Sequence, residues 1–239
     1  MKFNVSKCLL VGLCVSASAT VMAEEKEDSK VSVEVGADIV SSYFWRGMDC
    51  AGFSAQPGVT VNFNKPGISV GVWASASLFE TSDVVNMNEF DLELSYSPCD
   101  AFSIGLTDYH FYSGKYWGDW TFNQASAHNL ELNLSYDFGP LAFAWNTVLT
   151  GPDQRISGER AYSTYVGASA PFSVAGVGCT ATVGACPWGY HFGAEYGSGF
   201  SVMNVSLKAE KELKGLPLFG EVVFNPRTEA AFFVVGVTF

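Results

Sequence analysis

Two sets of side chains in this 239-residue sequence have the types and spacing to do chemistry. The first is Asp108, His110 and His128. His110 ends one run of alternating residues and His128 begins the next. A hairpin centred near Asp119 therefore sets the two imidazoles roughly opposite each other, with a carboxylate two residues from His110. A histidine beside a carboxylate suits a hydrolase at the rim of a barrel, and a histidine pair with a carboxylate could take a metal. Neither a nucleophile nor a third firm ligand accompanies them, and histidines at such a rim also serve as plain interfacial side chains. The sequence thus predicts no enzyme, no bound metal and no cofactor, with a rim-sited hydrolase as one alternative.

The second set is electrostatic. Glu34, Asp38, Asp91, Glu93, Glu131, Asp137, Glu210 and Glu221 all occupy the polar places of alternating runs, joined there by only Arg46 and Lys208 as bases. If those places share the inside of a tube, ionised carboxylates two strand spacings apart, roughly 10 Å, repel unless cations or water screen them. Such a wall favours cations if water passes through it. The alternative is a closed network in which Arg46, Lys208 and protonated acids knit the strands together and fill the lumen, giving a structural or surface-binding protein.

Other signatures fail on context. "GASAP" at 167–171 has Pro171 where a nucleophile elbow needs glycine, and "FSVAGVG" after it supplies no helix. "GVGCTA" at 176–181 imitates a dinucleotide fingerprint but leads into strand-like "TVGACPW". Cys50, Cys99, Cys179 and Cys186 form no C-x-x-C pair. An exported protein could bridge Cys50 to Cys186, both in or beside long loops, or keep them as free thiols. The glycine- and aromatic-rich "YHFGAEYGSGF" at 190–200 reads as a flexible loop that could also stack on sugars or a surface partner.

The elements that must position these groups are strands. In "NLELNLSYDFGPLAFAW" (129–145), Leu130, Leu132, Leu134, Tyr136 and Phe138 alternate with Asn129, Glu131, Asn133, Ser135 and Asp137, and alternation resumes after Gly139-Pro140. A period of two means a strand with one apolar and one polar face. Twelve such strands follow one another from Val31 to Phe239, with no convincing helix. Their connections sort by parity. "NKPG", "SPCD" and "DFGP" are tight, whereas "RGMDCAGFS", "ETSDVVNMN", "SGKYWGDWTFNQAS" and "GPDQRISGER" are longer. Short turns at one end and long loops at the other are the pattern of an outer-membrane barrel, and a sandwich has no reason to sort its loops this way.

The expectation is an all-β, antiparallel up-and-down transmembrane barrel of about 12 strands over residues 31–239, its apolar face on lipid. A signal peptide is predicted over Met1–Ala23, from Lys2 and Lys7, a short apolar stretch and a small-residue cleavage site, followed by a disordered lead-in over 24–30. Without the leader's two lysines the chain keeps 11 basic against 24 acidic residues, a net of −13, which argues against nucleic acid as a partner. Aromatics near strand ends (Tyr43, Phe44 and Trp45; Tyr109, Phe111 and Tyr112; Tyr136, Phe138 and Trp145) suit girdles at two membrane interfaces. One strand conflicts with itself: Phe102, Ile104 and Leu106 place Asp108 on the apolar face, while Tyr109 and Phe111 read as the lipid-facing pair. A bulge near Thr107 would turn Asp108 and His110 inward; otherwise the strand has left the bilayer by Asp108.

The ending, Phe239 with Val237, Val235 and Phe233 at each second place before it, resembles the carboxy-terminal signal read by the outer-membrane insertion machinery. "SSYFWRG", "SAQPGVTVNF" and "GISVGVWAS" resemble the start of the TorF-type porins, with Arg-Gly at the first loop and a Gly-Val-Trp third strand. The likeness covers about residues 33–150, and the tail is similar to that of outer-membrane proteins of Bacteroides-type bacteria. This resemblance implies a barrel in the bacterial outer membrane, with lipids, the insertion machinery and small solutes or cations as partners. It carries no active-site residues.

Overall fold

The computed structural model describes residues 30–79, 88–111, 127–192, 194–197 and 199–239. The first eight strands are β1 (Val31–Val40), β2 (Tyr43–Trp45), β3 (Met48–Ala51), β4 (Ser54–Phe63), β5 (Ile68–Ser77), β6 (Glu89–Cys99), β7 (Phe102–Phe111) and β8 (His128–Asp137). Eight more follow: β9 (Ala142–Thr150), β10 (Thr164–Val174), β11 (Val177–Cys186), β12 (Tyr190–His191), β13 (Ala194–Glu195), β14 (Ser201–Leu213), β15 (Leu216–Asn225) and β16 (Ala230–Thr238). Twelve of them close into an antiparallel barrel in which each strand pairs with its neighbours along the chain, β2–β3 and β12–β13 standing apart as two small hairpins. No described helix is long and apolar enough to cross a membrane, which says nothing about strands.

Alternation sets inside from outside. Val31, Val33 and Val35 of β1, Val70 and Val72 of β5, and Phe233 and Val235 of β16 are exposed on the outer wall, while the intervening polar residues are buried or half-buried within. The barrel closes where Asp38, Ile39 and Val40 pair with Thr238, Val237 and Gly236. Reciprocal bonds between Ala37 and Phe239 extend that seam at 3.1 and 2.9 Å.

The conflict within β7 resolves against a bulge. Pairing runs regularly from Leu94↔Leu106 through Glu93↔Thr107 to Leu92↔Asp108, and on the other side from Leu106↔Leu132 to His110↔His128. Asp108 and His110 therefore stay on the outer face, with Asp108 still inside the paired strand. Tyr109 points inward, where its hydroxyl donates to Glu131 at 3.1 Å. The ladder irregularity at this height lies one strand further on, between Leu130 and Glu131 where β8 meets β9.

The first long connection is the larger departure. Its residues form β2–β3, which folds back into the barrel and buries Tyr43, Trp45, Cys50 and Ala51 against Trp73 of β5 and Tyr109 of β7. Phe44 packs against the cluster of Val40, Phe219 and Val234 and lies 4.2 Å from the Phe232 ring. Tyr43, Phe44, Trp45, Tyr109 and Phe111 thus belong to the interior and not to a girdle. Aromatic rings there fill a cross-section that twelve strands leave wider than aliphatic side chains can bridge. Tyr112 lies outside the described residues. Tyr136, Phe138 and Trp145 do face outward and are exposed.

The hairpin turns at Arg46 and Gly47, both with positive φ (51° and 82°), the geometry of a tight two-residue turn. The tip touches the far wall. Asn225 donates to the Gly47 carbonyl at 3.0 Å, and a Cβ at Gly47 would collide with the Met203 carbonyl oxygen. Gly47→Ala should therefore undock the hairpin tip. The expected loss is roughly 1–3 kcal/mol in unfolding free energy, read as a lowered urea midpoint in detergent, with barrel circular dichroism retained.

Candidate functional site

The interior centres on Arg46. Its guanidinium reaches across the lumen to β8 and donates to both carboxylate oxygens of Glu131, 2.8 Å each. The two side chains are only 3% and 1% exposed. The Trp45 ring lies 4.3 Å and the Tyr165 ring 4.8 Å from the guanidinium carbon, so the planar cation is held between two aromatic faces. Tyr165 can lie flat against the wall because Gly167 and Gly184, directly paired across β10 and β11, have no side chains; a Cβ at Gly184 would collide with its ring. Removing one member of such a buried pair strands the other charge in a dry site, at a cost of about 3–5 kcal/mol.

The second hairpin meets the first over this pair. His191 lies 5.0 Å from Trp45 and 6.0 Å from Tyr165, and Phe192 lies 4.7 Å from Trp45 and 5.4 Å from Tyr109, ring centre to ring centre. The stretch expected as a flexible loop thus contributes to the interior seal. What the sequence offered was only "YHF" itself, three rings in a row. Cys50 and Cys186 are both buried and free, not bridged, and the Cys186 thiol points at the Met203 sulfur 2.9 Å away.

Carboxylates gather around and below the seal. Glu89, which sequence reasoning passed over, accepts from the Tyr43 hydroxyl at 2.9 Å and sits buried with Asp91 on β6. Asp38 is buried on β1 near the closing seam. Nearer the short turns the inward residues are half-buried: Glu34 accepts from Asn62 at 2.9 Å, and Glu93 and Glu221 lie along the same face. Glu221 pairs in register with Lys208, whose ammonium sits 3.2 Å from Glu210 and 4.6 Å from the Phe219 ring. Asp137 ends β8 and caps the turn, accepting from the Gly139 amide at 2.6 Å. The inner space is therefore packed with rings toward the long-loop end and lined by half-buried carboxylates toward the short-turn end.

The other set of expected functional residues comes together on the opposite face of the wall. His128 Nδ1 lies 2.8 Å from an Asp108 oxygen, and the His110 and His128 rings are 4.6 Å apart. All three are buried on the outside of β7 and β8. Among the described residues no group of three or more histidine, cysteine or acidic side chains is arranged to hold a metal ion. Phe233, Val235, Val237 and Phe239 line up on the outer face of the last strand and its end, with Phe233, Val235 and Phe239 well exposed.

His191 gives the seal a pH dependence. Burial first, and the nearby Arg46 cation second, hold its imidazole well below the usual histidine range. Neither ring nitrogen has a hydrogen-bond partner among the described residues. A group that titrates lower in the folded than in the unfolded state costs stability as pH falls through its unfolded pKa, near 6.5. Below that point the wild type should lose up to about 1.4 kcal/mol per pH unit more than His191→Phe. Paired urea titrations at pH 7.5 and 5 measure this, and parallel losses in the two proteins would refute it.

No curated protein matches the chain. A family model does match, over residues 23–211, and its description is a bacterial protein of unknown function, Gcw_chp. That match takes in β1 to β13 and most of β14, including both interior hairpins and the Arg46–Glu131 pair. The chain belongs to the Gcw_chp family of bacterial proteins of unknown function.

Proposed function

We propose that the protein is a barrel of the bacterial outer membrane whose acidic inner wall passes small solutes, cations above all, when the β2–β3 hairpin leaves the lumen. The observation that carries this reading is the Arg46–Glu131 pair, which latches an inward-folded loop across the barrel above half-buried carboxylates. The membrane part rests on the exposed apolar outer wall, since lipid tolerates strands only in a closed barrel. The resemblance to TorF-type porins agrees with it, as does the signal peptide expected over Met1–Ala23. The outward row ending in Phe239 suits recognition by the insertion machinery. The same plug favours a second reading, a permanently filled barrel with a structural or surface-binding role. Hydrolysis is not proposed; the Asp108 and His128 side chains are 10% and 1% exposed.

Planar-bilayer recordings separate these readings. Wild-type protein should conduct rarely, and Arg46→Ala, which leaves Glu131 without its cation, should conduct at least tenfold more often. Arg46→Met with Glu131→Leu, which replaces the pair by apolar contacts, should stay closed. Salt-gradient reversal potentials of Arg46→Ala should show cation preference, weakened by Asp91→Asn with Glu93→Gln. Anion preference would sink the cation-favouring reading, and silence in every variant would sink the channel and leave the filled barrel.

A further inference from the structure

The outer wall is not uniformly convex. An apolar groove of about 490 Å³ crosses it, running over β7, β8, β9, β10, β11 and β14. One side is a row of directly paired residues: Phe102, Tyr136, Phe143, Ala168 and Val183. The other is the neighbouring row, from Leu134 through Trp145 and Val166 to Val202. Ala168 is the low point between Phe143 and Val183, and Phe200 stands exposed at the upper end. No charged residue lines the groove.

Its dimensions narrow the occupant. Six strands give five spacings, about 24 Å. Outer-membrane strands tilt about 35–45°, so a path perpendicular to them climbs about 15 Å. That is half of a hydrocarbon core of about 30 Å, the depth of one leaflet. The groove starts at Phe102, first residue of β7 beside a short turn, and ends at Val202, second residue of β14 on the long-loop side. A second copy of the barrel would need about 800 Å² of complementary surface per partner, and its own convex wall does not enter a narrow oblique trough. Aromatic rings collect at the lower mouth, where Phe138 lies 4.5 Å from Tyr136 and 5.7 Å from Phe143. Tyr136 is the amphipathic ring among them, and such rings sit at headgroup level.

We infer that the groove holds one acyl chain of a phospholipid from the short-turn leaflet, its headgroup beside Tyr136 and Phe138 and its tail crossing Ala168 toward Phe200. This rests on the outer-membrane reading but not on conductance. The test refolds the protein into dioleoylphosphatidylcholine vesicles, confirms insertion by flotation, extracts it in maltoside detergent and counts retained phosphatidylcholine by mass spectrometry. Wild type should retain the lipid in stoichiometric amount. Ala168→Phe, and independently Val166→Phe, should retain roughly tenfold less, equivalent to about 1.4 kcal/mol, while Ala231→Phe on the distant β16 should match wild type. An inserted wild type without lipid, equal retention in the groove variants, or a groove-dependent dimer in cross-linking would each overturn the inference alone. A chain that never floats with the vesicles would overturn the membrane reading together with it.

Discussion

The interior depends on a single charge pair. Arg46 and Glu131 are 85 residues apart in sequence, and neither could be dehydrated alone. Together, with two oxygens accepting two N–H groups and aromatic faces above and below the guanidinium, they make burial tolerable. Much else in the upper lumen follows from where this pair sits. The tip turn must be Arg46-Gly47 to bring the backbone against Met203, Tyr165 needs glycines beneath it, and Tyr109 must point inward to reach Glu131. The pair also decides which way a loop folds. With a lysine, a compact and strongly hydrated cation, the planar sandwich between Trp45 and Tyr165 would be lost.

The barrel itself depends on a different balance. Apolar side chains stand exposed on the outer wall, while carboxylates share the inside with the aromatic cluster. In the proposed outer-membrane setting that wall meets lipid, and the closed ladder of twelve strands leaves no open edges for lipid to satisfy. The interior solves its own packing problem in two levels. Rings from two hairpins fill the long-loop end, and hydrogen-bonded polar side chains line the short-turn end. The Asp108–His128 pair breaks the pattern by placing polar groups on the outer face. They are buried and bonded to each other, which is how a wall of otherwise apolar residues tolerates them.

What the sequence determined by itself was the wall. Period-two alternation is a local property, repeated over about ten residues at a time, and it placed all twelve barrel strands and sorted their turns into short and long ends. It also put Asp108 opposite His128's strand, and Glu131 and Asp91 on the polar face, because register follows from alternation once a hairpin is set. What only the tertiary structure decided was the contents of the barrel. "SYFWRGMDCA" carries no periodicity that distinguishes a loop in water from a hairpin in the lumen, since its rings are as compatible with an interface girdle as with a core. The difference lies in partners that are remote in sequence: Glu131 for Arg46, Trp73 for Tyr43, His191 for Trp45. The same holds for Tyr109, whose inward aim follows from unbroken pairing with two neighbouring strands and not from its neighbours in sequence. Contacts of that range are fixed by closure of the barrel, which brings opposite walls within a side chain's reach and gives a buried charge one place to find its counterpart.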